Sequence, residues 1–249
     1  MKRILLRIES GIELEAVTST NEYLRNSSIP NGFWVSARNQ TSGKGRKDHS
    51  WSSLGEGNLF FSCKLSLPDI KFRIELLPIF IGLSVFESVI FFFPNLEDKL
   101  SLKWPNDLYI ENKKLSGVLV ELFTVEEFTT ILIGIGLNFY SEKDQDKTIF
   151  GTLMDEKPSA EFRKQFIAKI INEINGIFQL TSTEAISKLN KANSISYLKN
   201  KSIQMTYDEK LIQGKVLEIT EKGYLKIDTG NQILELIDTS SDFKVVDNE

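Results

Sequence analysis

The chain has one cysteine, one histidine, three methionines and six prolines in 249 residues. A single cysteine, Cys63, excludes an intrachain disulfide and points to a reducing compartment. With His49 as the only histidine, a His/Cys zinc site cannot be assembled. A Ser–His–Asp triad would have to recruit His49, whose place in a basic loop fits a solvated side chain better. Basic charge is also in short supply: the net charge is −4 and the pI is near 5.4, which argues against general nucleic-acid binding. Long hydrophobic runs are confined to Leu76–Phe93, which is broken by Pro78, Gly82, Ser84, Glu87 and Ser88 and barely reaches spanning length, so a buried helix explains it better. Met1–Ser10 carries early charges without an apolar core, so no signal peptide is expected and the cytoplasm is the expected compartment.

What is there reads as a soluble globular chain, 41% hydrophobic and 26% charged. Its organising stretch is Asn39–Trp51, which sets Gly43 and Gly45 among Lys44, Arg46 and Lys47 between two apolar runs. Glycines let backbone N–H groups approach a ligand, and the cations neutralise an anion. The run is neither a full dinucleotide fingerprint nor a P-loop, since Asp48 stands where the third glycine would be and no helix opens after it.

Strands are expected over Lys2–Ile8, Phe33–Ala37, Asn58–Ser66, Leu100–Trp104 and Phe128–Phe139, with a hairpin of Leu108–Ile110 and Leu115–Phe123 around Glu111–Lys114. Ser19-Thr20-Asn21-Glu22 reads as a capping box opening a helix at about Asn21–Asn26. Helices are expected over Phe72–Phe93, Ser159–Leu180 and Thr183–Lys191, and Ser141–Lys147 reads as a charged loop. Gly134 and Gly136 inside a strand mark close approach by a ligand or another backbone. From Tyr197 the character changes to short strands at Ser202–Tyr207, Leu211–Ile219, Tyr224–Asp228, Gln232–Ile237 and Phe243–Val246, a small all-β barrel. The expected division is residues 1–193 and 194–249.

Four elements carry chemistry: Ser19-Thr20-Asn21; the basic loop with Gln40; Lys103-Trp104-Pro105-Asn106-Asp107 with Lys114-Leu115-Ser116-Gly117; and Gly134-Ile135-Gly136-Leu137-Asn138. Each has a bland reading on its own: a helix cap, core tryptophans, a turn-forming Asp107, packing glycines. In this order and spacing they resemble the biotin protein ligases, from about Thr18 through the C-terminal barrel, most specifically in Lys-Trp-Pro-Asn-Asp followed by Lys-Leu-x-Gly. The resemblance implies an α+β fold, a mixed sheet flanked by helices like the class II synthetases, with a C-terminal SH3-like β-barrel. It implies a biotin–[biotin carboxyl carrier protein] ligase that uses ATP and Mg²⁺ and proceeds through biotinyl-5′-AMP.

By the same resemblance, Ser19, Thr20, Asn21 and Gln40 would hold the ureido head of biotin, and Gly43, Lys44, Gly45 and Arg46 would wrap its carboxylate and the nucleotide phosphate. Trp51 would stack near adenine, Asn106 and Asn138 would contact the nucleotide, and Lys114 would reach carboxylate and α-phosphate. Gly117, Gly134 and Gly136 would floor the pocket. Lys114, Arg46 and Asp107 are the candidate catalytic residues, Asp107 to orient or accept the proton of the attacking amine. The pattern departs from the family at Asp48-His49, where Gly then Arg are usual. The motif begins at Ser19, too early for a preceding helix-turn-helix domain, so a monofunctional form without DNA binding is expected. A homodimer stays open.

The chemistry suits these residue types independently. Carboxylate and ATP are both anions, and the carboxylate is itself the nucleophile, so the protein must align them and neutralise charge. A lipoate or octanoate ligase would use the same logic with another acyl pocket. A non-catalytic biotin sensor would not need both Lys114 and Arg46. An RNA-binding role for the barrel is disfavoured by its acidity and lack of clustered aromatics.

Overall fold

The computed structural model describes residues 5–26, 28–47, 49–51, 57–67, 73–125, 128–141 and 150–246. Seven strands form one sheet: β1 (Gly11–Val17), β2 (Trp34–Gln40), β3 (Leu59–Leu67), β4 (Leu100–Lys103), β5 (Asp107–Ile110), β6 (Lys113–Val125) and β7 (Phe128–Leu137). Their order is β1-β2-β3-β7-β6-β5-β4, with β1 parallel to β2 and every other pair antiparallel. This is the α+β mixed sheet that the resemblance implies.

Helices α2 (Leu77–Phe92), α3 (Ala160–Ile177) and α4 (Ser182–Ser194) stack beside this sheet. The apolar run resolves into α2, preceded by a 3-10 turn at Ile74–Leu76, and its side chains are buried almost all round. A helix apolar on every side belongs in a core, and this one packs against α3, α4 and β6. Although Ile74–Phe92 is long and apolar enough to cross a membrane, most of it is inside the fold. The capping box is complete at α4, where Thr181 and Glu184 satisfy each other's backbone.

The short helix α1 (Thr20–Leu24) lies by β2, β3 and β7, where Leu24 packs with Val35 and Leu132. Strand register lays three cross-sheet rows there: Lys64–Leu132–Glu121, Ser62–Gly134–Leu119 and Phe60–Gly136–Gly117. Period-two alternation puts all three rows on one face.

Arg163, on α3, is nearly fully buried and reaches the base of the basic loop. It donates to the Asn58 carbonyl at 2.6 Å and the Ala37 carbonyl at 3.4 Å, with Glu13 at 3.8 Å. Burial pulls its pKa down, and Glu13 opposes that.

The C-terminal strands, β8 (Ser202–Tyr207), β9 (Lys210–Ile219), β10 (Leu225–Asp228), β11 (Ile233–Leu236) and β12 (Lys244–Val246), form an antiparallel sheet in the order β11-β10-β9-β8-β12. Among the contacts that join the second sheet to the rest of the fold, one comes from α4 and one from the residue just past β4. Asn193 exchanges hydrogen bonds with the Ile219 backbone at 2.9 and 2.7 Å, and the Trp104 indole N–H donates to the Gly223 carbonyl at 2.9 Å.

Some sequence expectations need correction. Residues 5–8 are not in a strand; the edge strand is Gly11–Val17, whose Ile12 and Leu14 alternate with Glu13 and Glu15. At Ser19–Glu22 only half of the capping box forms. Ser19 Oγ accepts from the Glu22 N–H at 3.5 Å, while the Glu22 carboxylate turns to Lys44 at 2.7 Å. Residues 2–4, Asp48 and the charged loop after Ser141 fall outside the described residues.

Candidate functional site

A cavity of about 300 Å³ opens above the glycine rows. One part of it is a bonded cluster of small polar side chains. Gln40 Oε1 accepts from the Thr20 N–H at 2.7 Å and from Thr20 Oγ1 at 3.0 Å. Ser62 Oγ lies 2.7 Å from Thr20 Oγ1 and 2.5 Å from Asn21 Oδ1, sharing one proton between two oxygens. Ser19, Thr20, Asn21 and Ser62 are all buried. A Cβ at Gly134 would stand 2.5 Å from Asn21 Oδ1, so only glycine lets Asn21 lie on the sheet.

The other part is cationic. The Lys114 ammonium pairs with Asp107 Oδ1 at 2.8 Å and lies 5.3 Å from the Trp51 ring centroid. That indole rests on Gly117 and Gly136, which pair across β6 and β7. A Cβ at Gly117 would come within 2.6 Å of Trp51 Cζ3, and one at Gly136 would collide with the indole. The Trp51 Nε1–H is buried without a hydrogen-bond partner among the described residues, an unspent donor in the cavity wall.

The basic loop curls on itself: the Gly45 N–H donates to the His49 carbonyl at 2.6 Å, and the Trp51 N–H donates to the Gly43 carbonyl at 2.9 Å. Lys44 is held by Glu22, whose pKa is lowered by the hydrogen bond and charge of Lys44. Arg46 donates to Asn106 Oδ1 at 3.4 Å and to the Asp238 carboxylate, while Lys47 pairs with Asp238 at 2.9 Å. Burial pushes the Asp238 carboxyl up, but Lys47 and Arg46 outweigh it and hold the group below its ordinary value. Asn106 is fixed in turn, donating from Nδ2 to the Val118 carbonyl at 2.6 Å. His49 is exposed, in keeping with a solvated histidine.

Most of the residues singled out in sequence line this one cavity: Ser19, Thr20, Asn21, Gln40, Lys44, Gly45, Arg46, Trp51, Asn106, Asp107, Lys114, Gly117, Gly134 and Gly136. Two do not line it. Gly43 is packed under Trp51 and Gln40, and the buried Asn138 holds the backbone beside Lys114, its N–H donating to the Leu115 carbonyl at 3.0 Å. Both support the wall from behind.

Sequence reasoning missed four contributors. Ser62 and Glu121 back the polar cluster. Lys103, inside the motif but given no role, lines the cavity and donates to the Tyr109 hydroxyl at 3.1 Å. Burial first, then the Asp107 charge, pushes the Tyr109 phenol up to about 12. The fourth is the segment after β11, where Thr239, Ser240, Ser241 and Phe243 close one side. For Lys103 the motif was the available signal; for the others nothing local marked the position.

The model of the biotin/lipoate A/B protein ligase family matches residues 13–138. Among curated proteins, the bifunctional ligase/repressor BirA of Escherichia coli is 28% identical over 240 residues, covering 91% of this chain and 72% of the relative. The biotin–[acetyl-CoA-carboxylase] ligase of Mycobacterium tuberculosis is 24% identical over 207 residues, covering 81% of this chain and 75% of the relative. Among solved structures, the biotin protein ligase of Aquifex aeolicus in complex with biotin and ATP superposes with a TM-score of 0.78 at 29% identity, covering 96% of this chain and 100% of that one.

Proposed function

The chain belongs to the biotin/lipoate A/B protein ligase family, and from that premise we propose that it activates biotin with ATP as biotinyl-5′-AMP and transfers it to a lysine of a biotin carboxyl carrier protein. The observation that carries this reading is the joining of two chemistries in one cavity. The amide and hydroxyl cluster of Thr20, Asn21 and Gln40 suits a ureido group, which both donates and accepts. The cations Lys114, Arg46, Lys44 and Lys47 line the same space and suit a carboxylate meeting a phosphate.

In the first step a biotin carboxylate oxygen attacks the α-phosphorus of ATP, and the bond to pyrophosphate breaks. Lys114 neutralises the charge where the anions meet, and Arg46 and the loop N–H groups hold the phosphate. In the second step the carrier lysine amine attacks the anhydride carbonyl and AMP leaves. Once phosphate shares the charge of Lys114, the Asp107 carboxylate paired with that ammonium is freed to orient the amine or take its proton.

Among the described residues no group of three or more His, Cys, Asp or Glu stands together, and Asp107 and Asp238 each face a cation. The donor set does not fit a metal cage on the protein. Mg²⁺, if it takes part, belongs with the ATP phosphates.

The same reading makes residues 1–193 the catalytic unit and 194–249 a C-terminal barrel. It gives a carrier domain as the partner and the cytoplasm as the compartment. DNA is left out, in line with the net charge of −4.

Acid-dependent ATP–pyrophosphate exchange tests the proposal, with biotin, lipoate and octanoate side by side. Exchange with biotin alone is expected. Exchange driven equally by lipoate would make this a lipoate ligase, and no exchange with any acid would make it a sensor.

A further inference from the structure

The polar cluster is only as specific as the orientation of its amide. Asn21 can present either oxygen or nitrogen to a ligand, and the two faces read opposite partners. Three neighbours settle which way it points. Glu121, on β6, takes a hydrogen bond from Asn21 Nδ2 at 2.8 Å. A carboxylate can only accept, so the nitrogen must face it. Ser62 Oγ then meets Asn21 Oδ1, and the missing side chain of Gly134 leaves room for that oxygen.

Glu121 is itself clamped. Arg25 pairs with its other oxygen at 2.5 Å and also reaches Glu22 at 3.7 Å. Glu121 and Ser62 do not line the cavity; they stand behind the residue that does. With one amide hydrogen engaged by Glu121, Asn21 keeps its second hydrogen and a lone pair on Oδ1 for a ligand.

We infer that Glu121 is a positioning residue for recognition of the biotin head: its carboxylate locks the Asn21 amide in one orientation and so sets affinity for the ureido group without touching the reacting atoms. This rests on the biotin reading of the pocket. The Arg25 clamp holds the carboxylate in place, and the Glu22–Lys44 pair continues the chain of charges to the basic loop.

Glu121→Met removes the acceptor at nearly constant length, and Glu121→Gln keeps an acceptor but not the charge. Losing a partly buried hydrogen bond to a charged group predicts a rise in biotin Kd of roughly tenfold for Met, and a smaller rise, on the order of threefold, for Gln. At saturating biotin, kcat for pyrophosphate exchange and KM for ATP should stay within about twofold of wild type, which separates positioning from chemistry. In an Asn21→Ala background the Glu121→Met change should add nothing, since it acts through Asn21. Thermal melts check that each variant folds, and Gln serves if Met does not.

Three outcomes overturn parts of this. Unchanged biotin Kd in Glu121→Met, with normal binding by wild type, sinks the inference and leaves the pocket reading intact. A fully additive double mutant does the same. A wild-type chain that takes up no biotin overturns the pocket reading and the inference with it.

Discussion

Arg46 and Asp238, 192 positions apart, form an ion pair that joins the basic loop to the β11–β12 connection of the second sheet. The same carboxylate holds Lys47. An internal anion thus sits on the two cations that the proposed nucleotide phosphate would need.

If Asp238 stands in for phosphate, ligand must displace it. Asp238→Asn should lower KM for ATP about threefold, the scale of a half-exposed ion pair. It should also free the loop, so that protease cuts faster at Lys44–Lys47 without ligand and slows once biotin and ATP are added, as expected of a lid. A raised KM would instead make Asp238 a support for Arg46, and equal protection with and without ligand would make the loop a rigid cradle.

Lys114→Gln should cut biotin-dependent pyrophosphate exchange on the order of a hundredfold or more while biotin Kd rises less than tenfold, because the charge matters most where carboxylate meets phosphate. The comparison is single-turnover adenylate formation against equilibrium binding. Equal losses in both would remove the catalytic role.

The floor allows a third test. Gly136→Ala puts a methyl into the Trp51 indole, which has to move off the sheet. A cost of about 1–3 kcal/mol in stability is expected from such overpacking. Exchange should fall at least tenfold, and the tryptophan emission should shift. A variant with wild-type emission and rate would show that the indole is free to relocate and does not shape the pocket.

How much of this was legible in the sequence depended on range. The elements with strong local periodicity, such as α2 and the β5–β6 hairpin, lie where apolar spacing and turn residues put them. The edge strand Gly11–Val17 was passed over for a more apolar neighbour, although its alternation was readable; what makes it a strand is parallel pairing with β2 across the α1 crossover. The motif residues converge because they flank glycine pairs in register. Ser62 and Glu121 were invisible, since a serine and a glutamate in strands look like solvated positions until α1 is laid over them. The half-formed capping box shows the same competition: Glu22 satisfies local helix chemistry in sequence, but Lys44 claims it in three dimensions.

Acid gives a fourth test, in the segment that closes the cavity. Hydrogen bonds from Ser240 and from the Thr206 hydroxyl and N–H hold the exposed Asp242 carboxyl down to about 2. A depressed carboxylate contributes stability above its unfolded pKa of about 3.9, and that contribution drains away as pH falls through the folded value. The melting difference between wild type and Asp242→Asn should therefore be constant above about pH 5, shrink through about pH 2 and vanish only near about pH 1. A difference that does not shrink between about pH 5 and about pH 2 would mean that Asp242 acts through something other than its charge.

The second sheet has a heritable obligation. Trp104 reaches into it for the Gly223 carbonyl, and it returns Asp238 and Thr239 to the loop. A chimaera that grafts another C-terminal sheet onto this chain would keep the counter-charge of Arg46 and Lys47 only if the graft also presents a carboxylate where Asp238 stands.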